Sequence, residues 1–501
     1  MVDLLLVPVA VFYLLVVAAL FVYGLNFFYL TYLTWRDRSR RVETHALAQW
    51  PVVTVQLPIY NELYVAERLI EAVASLDYPK DRLEIQVLDD STDETVGIVA
   101  SLVEQLQAQG IDIKHLRREQ RTGYKAGALA AGFASARGEF LAIFDSDFIP
   151  KPDFLLQTVP HFYDEDHKDS RKVAFIQTRW GHINRDFSFL TFLESLAIDA
   201  HFVVEQFARQ QGGFWFNFNG TAGIWRREAI LAAGGWKADT LTEDLDLSYR
   251  AFLKGWRAIY LRDVEVPAEL PVSFSAYRRQ QHRWARGSLE CALKLIPKVW
   301  QAPISLLQKI EAVLHLTGYG VHILLFFLTI LYPVVLLLSQ RYPSLISLFG
   351  IAFAFNATAF APTIFFVAAQ QQLGRRWWVQ LPVILFITAL GAGMMLNTVR
   401  AALQILNGKS MAFERTPKFG ISRRGQDWTR LIYQLKLDPI VFAELGLAVL
   451  NTATTLIAFR LGNWVIGVYA ALFTAGLLFT SGLTIAQTLS IQRQRAHARR
   501  S

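Results

Sequence analysis

Asp145 and Asp147 stand either side of Ser146 in "FDSDF", at the end of the apolar run "EFLAIF" at 139–144. Carboxylates so placed either brace a solvated Asx turn or supply hard oxygen ligands for a divalent ion, Mg2+ or Mn2+, bound to a pyrophosphate. A second pair, Asp89 and Asp90 in "VLDDSTDET", also closes an apolar run. It reads as a turn leading into a helix N-terminus, or as two carboxylates suited to the base and ribose of a nucleotide. In "LTEDLDLSYR", Thr242 precedes Glu243, Asp244 and Asp246. An N-cap threonine with acidic first-turn residues is ordinary helix chemistry, and the alternative makes Asp244 a general base that takes a proton from an acceptor hydroxyl.

Basic and amide groups complement these acids. "YRRQQHRWARG" at 277–287, if helical, places Gln280, Arg283 and Trp284 on one face, where they can hold something anionic and flat. Lys125 lies in "RTGYKAGALAAG", either as a snorkelling surface lysine or as a phosphate contact beside small residues that permit close backbone approach. "FNFNGTAGIW" reads as a glycine-permitted turn that brings Asn219 and Gly220 near a ligand. His182, His201 and His282 are isolated in the sequence, and none has a metal-ligand spacing.

These residues need a scaffold. Runs at 52–57, 84–88, 112–116, 139–144 and 173–178 read as buried strands, separated by helical patterns at 65–74, 95–109 and 124–136. Such alternation predicts a doubly wound, mostly parallel α/β sheet whose ligands bind beyond the carboxyl ends of the strands, which is where the acidic pairs fall. The whole chain is 53% hydrophobic and 13% aromatic over 501 residues, which points to an integral membrane protein. One cysteine, Cys291, excludes an internal disulfide and a cysteine-rich zinc site.

The apolar run at 4–33 is too long for a cleaved signal and is expected to be a retained anchor. Further runs occur at about 315–338, 345–369, 379–399, 439–458 and 463–487, each long enough to span a bilayer. The net charge of +8 is concentrated where the chain meets the membrane, so positive-inside bias explains it and no nucleic-acid partner is expected. Basic loops at 371–378 and 408–437 should share one side, which predicts that the run at 379–399 lies in the interface or re-enters. Five crossings then place the N-terminus outside, and the soluble domain and C-terminus in the cytoplasm at the plasma (inner) membrane. The expected organisation is an anchor at 1–35, a cytoplasmic α/β domain at 36–300, interfacial and transmembrane helices with a loop at 301–438, and two transmembrane helices with a basic tail at 439–501.

In this order, Asp89-Asp90, Asp145-Ser-Asp147, Thr242-Glu-Asp244 and Gln280-x-x-Arg283-Trp284 resemble the processive membrane glycosyltransferases of family 2. The strip from "NFNGTAGIW" to "AYRRQQHRW" looks most like the cellulose-synthase-like glucomannan and xyloglucan-backbone synthases. The resemblance implies a GT-A, Rossmann-like domain inserted in a helical transmembrane bundle, and an inverting hexosyltransferase that uses GDP-mannose or UDP-glucose. It makes Tyr60, Glu62, Asp89, Asp90, Lys125, Asp145, Gln280 and Arg283 donor contacts, and Asp145 and Asp147 the metal site. Asp244 becomes the catalytic base, with Asn219, Gly220, Glu243 and Trp284 on the acceptor side. "FERTPK" is similar to the family's gating loop, in which Phe413, Thr416 and Lys418 would close over the nucleotide, although Arg415 and Pro417 depart from the pattern. The expected product is a β-linked polysaccharide threaded through the membrane; the alternative is one sugar placed on a membrane lipid such as a ceramide or diacylglycerol.

Overall fold

The computed structural model describes residues 2–42, 47–163, 173–341, 356–409, 414–429, 431–433 and 437–498. Its centre is a seven-stranded sheet of β1 (Val53–Ile59), β2 (Leu83–Asp89), β3 (Ile113–Arg117), β4 (Phe140–Ile143), β5 (Val173–His182), β6 (Gly223–Arg226) and β7 (Arg257–Ala268). The strand order is β3-β2-β1-β4-β6-β5-β7. Parallel pairing joins β1 to β2 and β4, β2 to β3, and β5 to β7; β6 runs antiparallel between β4 and β5. The five strands and three helices read from the sequence all form, the helices as Ala66–Ala74, Thr95–Ala108 and Tyr124–Ser135. Strands β6 and β7 were not expected. The first is only four residues long beside a glycine-rich turn, and the second pairs on one side alone and mixes charged with apolar residues.

The sheet is covered on both faces, as a parallel sheet must be. Val55, Leu57, Ile85 and Val87 pack with the helices Ala66–Ala74 and Thr95–Ala108. Leu141, Phe175 and Trp225 pack with Leu129, Tyr249 and Leu295 from three helices on the other face. Covering both faces leaves the strand ends as the open site for a ligand.

Among the described residues, five helices are long and apolar enough to cross a membrane: Pro8–Arg36, Gly320–Gln340, Trp377–Leu406, Ile440–Arg460 and Trp464–Gln494. The first part of the expected run at 345–369 lies outside the described residues, which resume there with Asn356–Thr358 and the helix Ala361–Gln372. The run at 379–399 forms the helix Trp377–Gly393, which turns at Met394 into Met395–Leu406. Both ends of this pair touch helices packed against the sheet domain. Arg375 is ion-paired with Asp199 of the helix Phe189–Ala200, itself 2.9 Å from His182 at the end of β5. At the other end, Asn397 Nδ2 donates to Arg278 O at 3.1 Å and Arg286 Nη2 to Lys409 O at 2.5 Å.

The amphipathic helix Phe274–Gln301 joins the sheet domain to the membrane helices. Its Arg278 meets Glu444 through two bonds of 2.6 and 3.0 Å, and Nη2 adds one of 3.1 Å to Thr484 Oγ1. Arg278 is 1% exposed and Glu444 fully buried, so each charge depends on the other. Glu444→Ala is expected to lower stability by about 3–5 kcal/mol, because it strands a buried guanidinium; an unchanged unfolding midpoint in nanodiscs would show that the pair fastens nothing. Cysteines placed at the exposed Arg376 and Lys409 are expected to react from the same side of the bilayer, against a low background because Cys291 is buried. Labelling from opposite sides would mean that the helix pair between them crosses.

Candidate functional site

The predicted residues converge from strand ends, helix starts and one loop. Tyr60 and Glu62 follow β1, Asp90 follows β2, and Asp145 and Asp147 follow β4, all at carboxyl ends of parallel strands. Lys125 and Asp244 lie in the first turns of the helices Tyr124–Ser135 and Glu243–Leu253. Gln280, Arg283 and Trp284 share a face of Phe274–Gln301, and Thr416 and Lys418 come from the segment beyond residue 413. Together with Asn219, Gly220 and Glu243 they line one cleft. Phe413 lies outside the described residues.

Asp89 does not reach this cleft. It is 1% exposed, its Oδ2 stands 2.8 Å from His115 Nε2, and its Oδ1 accepts from the Ser91 backbone at 2.8 Å. Burial would raise its pKa, but the bonds from His115 and Ser91 outweigh it and hold the carboxyl below its usual range. Its position therefore suits bracing the turn that presents Asp90, and not direct contact with a nucleotide. Asp90 accepts a two-pronged pair from Arg118 at 2.9 and 2.5 Å. Beside it the Arg121 guanidinium lies 3.4 Å over the Tyr60 ring, making a flat cationic and aromatic slot.

At the centre, each carboxylate of the "DSD" turn meets a lysine. Lys125 Nζ is 2.5 Å from Asp145 Oδ1 and donates to Gly220 O at 2.9 Å; Lys418 Nζ is 2.8 Å from Asp147 Oδ2 and bonds the Glu269 carbonyl. Burial alone would lower both lysines, but the surrounding carboxylates outweigh it and hold their pKa values above the usual range. Gly220 has φ +80°, and a Cβ there would stand 3.0 Å from Asp244 Oδ2 and 3.3 Å from Lys125 Nζ. The turn brings backbone against both groups, and only glycine fits it. Burial, then the neighbouring Glu243, pushes the Asp244 carboxyl up to about 7, with Lys125 opposing.

Helix Phe274–Gln301 lies hard against this centre because of Gly287. A Cβ at that position would fall 2.5 Å from Thr242 Cγ2 and 2.8 Å from the Thr242 amide nitrogen. Close approach sets Arg283 and Trp284 over Glu243 and Asp244. Arg283 Nη1 also donates to Glu414 O at 3.0 Å, and Arg415 pairs with Glu62 at 3.0 Å while stacking 4.1 Å from the Tyr433 ring. The segment Glu414–Lys418 thus closes one side of the cleft. Burial pushes Glu62 up to about 8 despite Arg415.

A second cavity of about 390 Å³, partly open to solvent, adjoins the first. The two share Trp180, Glu194, Asn219, Thr242, Asp244 and Trp284. It extends to Tyr23 and Phe27 of the first long helix and to His322 of Gly320–Arg341, with polar groups such as His201, Asn217 and Gln281 set in mostly apolar walls. Sequence reading missed Arg121, Glu194 and Glu269, and treated Arg415 only as a departure from a pattern. Arg121 was within reach of it, four residues before Lys125; Glu194, flanked by apolar and small residues and outside any acidic pair or motif, carried no local signal.

The family profile described as "Glycosyltransferase like family 2" matches residues 51–287. A probable glucomannan 4-beta-mannosyltransferase 7 of Oryza sativa subsp. japonica is 40% identical over 336 residues, 66% of this chain and 57% of that protein. Glucomannan 4-beta-mannosyltransferase 2 of Arabidopsis thaliana is 43% identical over 256 residues, 50% of this chain and 47% of that protein. The chain spans about half the length of the curated relatives it matches. Among solved structures, mannosyltransferase PcManGT of Pyrobaculum calidifontis, in complex with GDP-Man and Mn2+, covers 80% of this chain and is itself covered in full, at 21% identity and TM-score 0.49, too loose a likeness to argue from. Residues 51–287 form a glycosyltransferase family 2 domain of GT-A fold, and over about half to two thirds of its length the chain is similar to curated glucomannan mannosyltransferases.

Proposed function

We propose that the protein transfers a hexose, with inversion, from a nucleotide sugar to the end of a growing β-linked polysaccharide and passes the product into the membrane helices. The observation that carries this reading is the placement of Asp244 in the wall between the two cavities. A base in that wall can reach an acceptor hydroxyl on one side and face the donor on the other. The names of the relatives favour GDP-mannose over UDP-glucose as donor. The second cavity sets polar groups such as His201, Asn217 and Gln281 among mostly apolar and aromatic walls, which suit the flat faces and hydroxyl rims of sugar rings. Sizing and solvent extraction of the product separate this from a lipid acceptor.

In this reading Tyr60, Asp90 and Arg121 bind the base and ribose, while Lys125, Gln280, Arg283 and Lys418 face the diphosphate. Asp145 and Asp147 suit a divalent ion: they offer two hard oxygen ligands on one turn, and the lysines now paired with them mark where positive charge is needed. Among the described residues no three acidic, histidine or cysteine side chains form a cage, so the remaining ligands would come from phosphate and water. Bound there, such an ion, Mg2+ or Mn2+, would supply positive charge against the departing diphosphate. Asp244 takes the proton from the acceptor hydroxyl as it attacks the anomeric carbon in line. Arg283 and Lys125 stabilise the leaving group from fixed positions. Trp284 offers a flat floor to the terminal acceptor sugar, with Asn219, Gly220 and Glu243 beside it. The distribution of lysine and arginine supports a cytoplasmic catalytic domain at the plasma membrane.

The direct test is to incubate protein in nanodiscs, with Mg2+ or Mn2+, with radiolabelled GDP-mannose, UDP-glucose, UDP-N-acetylglucosamine and UDP-galactose in turn, then size the product and extract it with solvent. A large water-soluble product cut by one β-glycanase is expected; a small solvent-soluble one would identify a lipid acceptor. Asp244→Asn is expected to keep nucleotide affinity and lose transfer by about 10²-fold or more. The base works when deprotonated, so turnover should rise with pH through about 7 and level off above it. A limb near pH 4 would show that another group takes the proton.

A further inference from the structure

Glu194 is a buried carboxyl that the mechanism above leaves unused. It sits in the helix Phe189–Ala200, whose Leu190, Leu193 and Leu196 fill a cluster with Phe274 and Tyr277 and fix the helix in place. Its side chain is 1% exposed, and among the described residues neither carboxyl oxygen has a hydrogen-bond partner. It lines both the cleft and the adjoining cavity. A buried carboxyl without hydrogen bonds costs several times what one weak contact contributes, so the site is complete only when a ligand satisfies it.

What passes this point is the sugar ring itself. The cleft holds the donor side and the cavity the acceptor side, and Glu194 shares their common wall with Asp244, Asn219 and Trp284. A hexose presents hydroxyls that both donate and accept, and a carboxyl in either protonation state can bind them in pairs. The nearby cation, Lys418, is already engaged by Asp147 and the Glu269 carbonyl, which leaves the Glu194 oxygens for a neutral ligand. We infer that Glu194 is a specificity-determining residue that binds the ring hydroxyls of the hexose in transfer; this rests on the cleft being the donor site. Burial pushes its carboxyl up to about 8, which lets it serve as a donor as well as an acceptor at neutral pH.

The experiment uses the full chain in nanodiscs, unaltered and as Glu194→Ala and Glu194→Gln. It measures calorimetric affinity for free GDP and UDP, and initial rates with GDP-mannose, GDP-glucose, UDP-glucose and UDP-galactose. Glu194→Ala should keep the free nucleotide affinity, lose about tenfold or more in kcat/KM, and narrow the ratio between epimeric donors. Glu194→Gln, which keeps a hydrogen-bonding group, should recover most of the loss. Unchanged kcat/KM and epimer ratio in the alanine variant would overturn the assignment. So would an equal fall in free nucleotide affinity, or a shift confined to the Mn2+ concentration dependence, which would put the carboxyl on the metal side. If the unaltered protein binds neither GDP nor UDP, the donor-site reading itself fails and takes this proposal with it.

Discussion

Carboxyl side chains lining the cleft outnumber lysines and arginines eight to five. So many like charges in a desolvated space cannot all be ionised, and the fold answers in two ways. Some acids are held toward their neutral form, as Glu62, Glu194 and Asp244 are. Others take a lysine each, as Asp145 and Asp147 do. Both answers leave the site short of positive charge, and a diphosphate brings still more negative charge. Cation demand is therefore a property of the cleft itself, present before any ligand arrives.

The architecture follows from meeting that demand on a narrow target. Parallel strands deliver three acidic segments to one edge of the sheet, and the antiparallel β6 lets the chain return through Asn219 and Gly220 on the same edge. Cations arrive from elsewhere: Arg121 and Lys125 from a helix start and the turn before it, Arg283 from the amphipathic helix, Arg415 and Lys418 from the segment after the helix pair Trp377–Gly393 and Met395–Leu406. Only Arg121 and Lys125 belong to the same part of the sequence as the carboxylates. The rest of the neutralising charge depends on how the membrane-associated helices sit against the sheet domain, and the contact between Gly287 and Thr242 sets that distance.

How much of this the sequence revealed depended on the range of the signal. Strands β1 to β5 stood out because each is a short apolar run bounded by polar turns, and the acidic pairs stood out because they follow those runs directly. Strand β7 stayed hidden because an edge strand needs no continuous apolar pattern, and Arg262, Asp263 and Glu265 interrupt it. Asp89 and Asp90 looked equivalent as neighbours, yet alternation along β2 turns the first inward to His115 and leaves the second at the cleft. Arg415 and Glu62, more than 350 residues apart in the numbering, pair only because the fold closes over them. Pairings of that range have no trace in local spacing.

Arg278 stands on the same helix as Gln280, Arg283 and Trp284, about 7.5 Å along the axis from Arg283 at 1.5 Å per residue. Its guanidinium is clasped by Glu444 and Thr484 of two different membrane helices. Less than two turns of one helix therefore separate the contact with Ile440–Arg460 and Trp464–Gln494 from the residues at the cleft. A change in how those two helices lean on one another would reach Arg283 and Trp284 through that short span of helix.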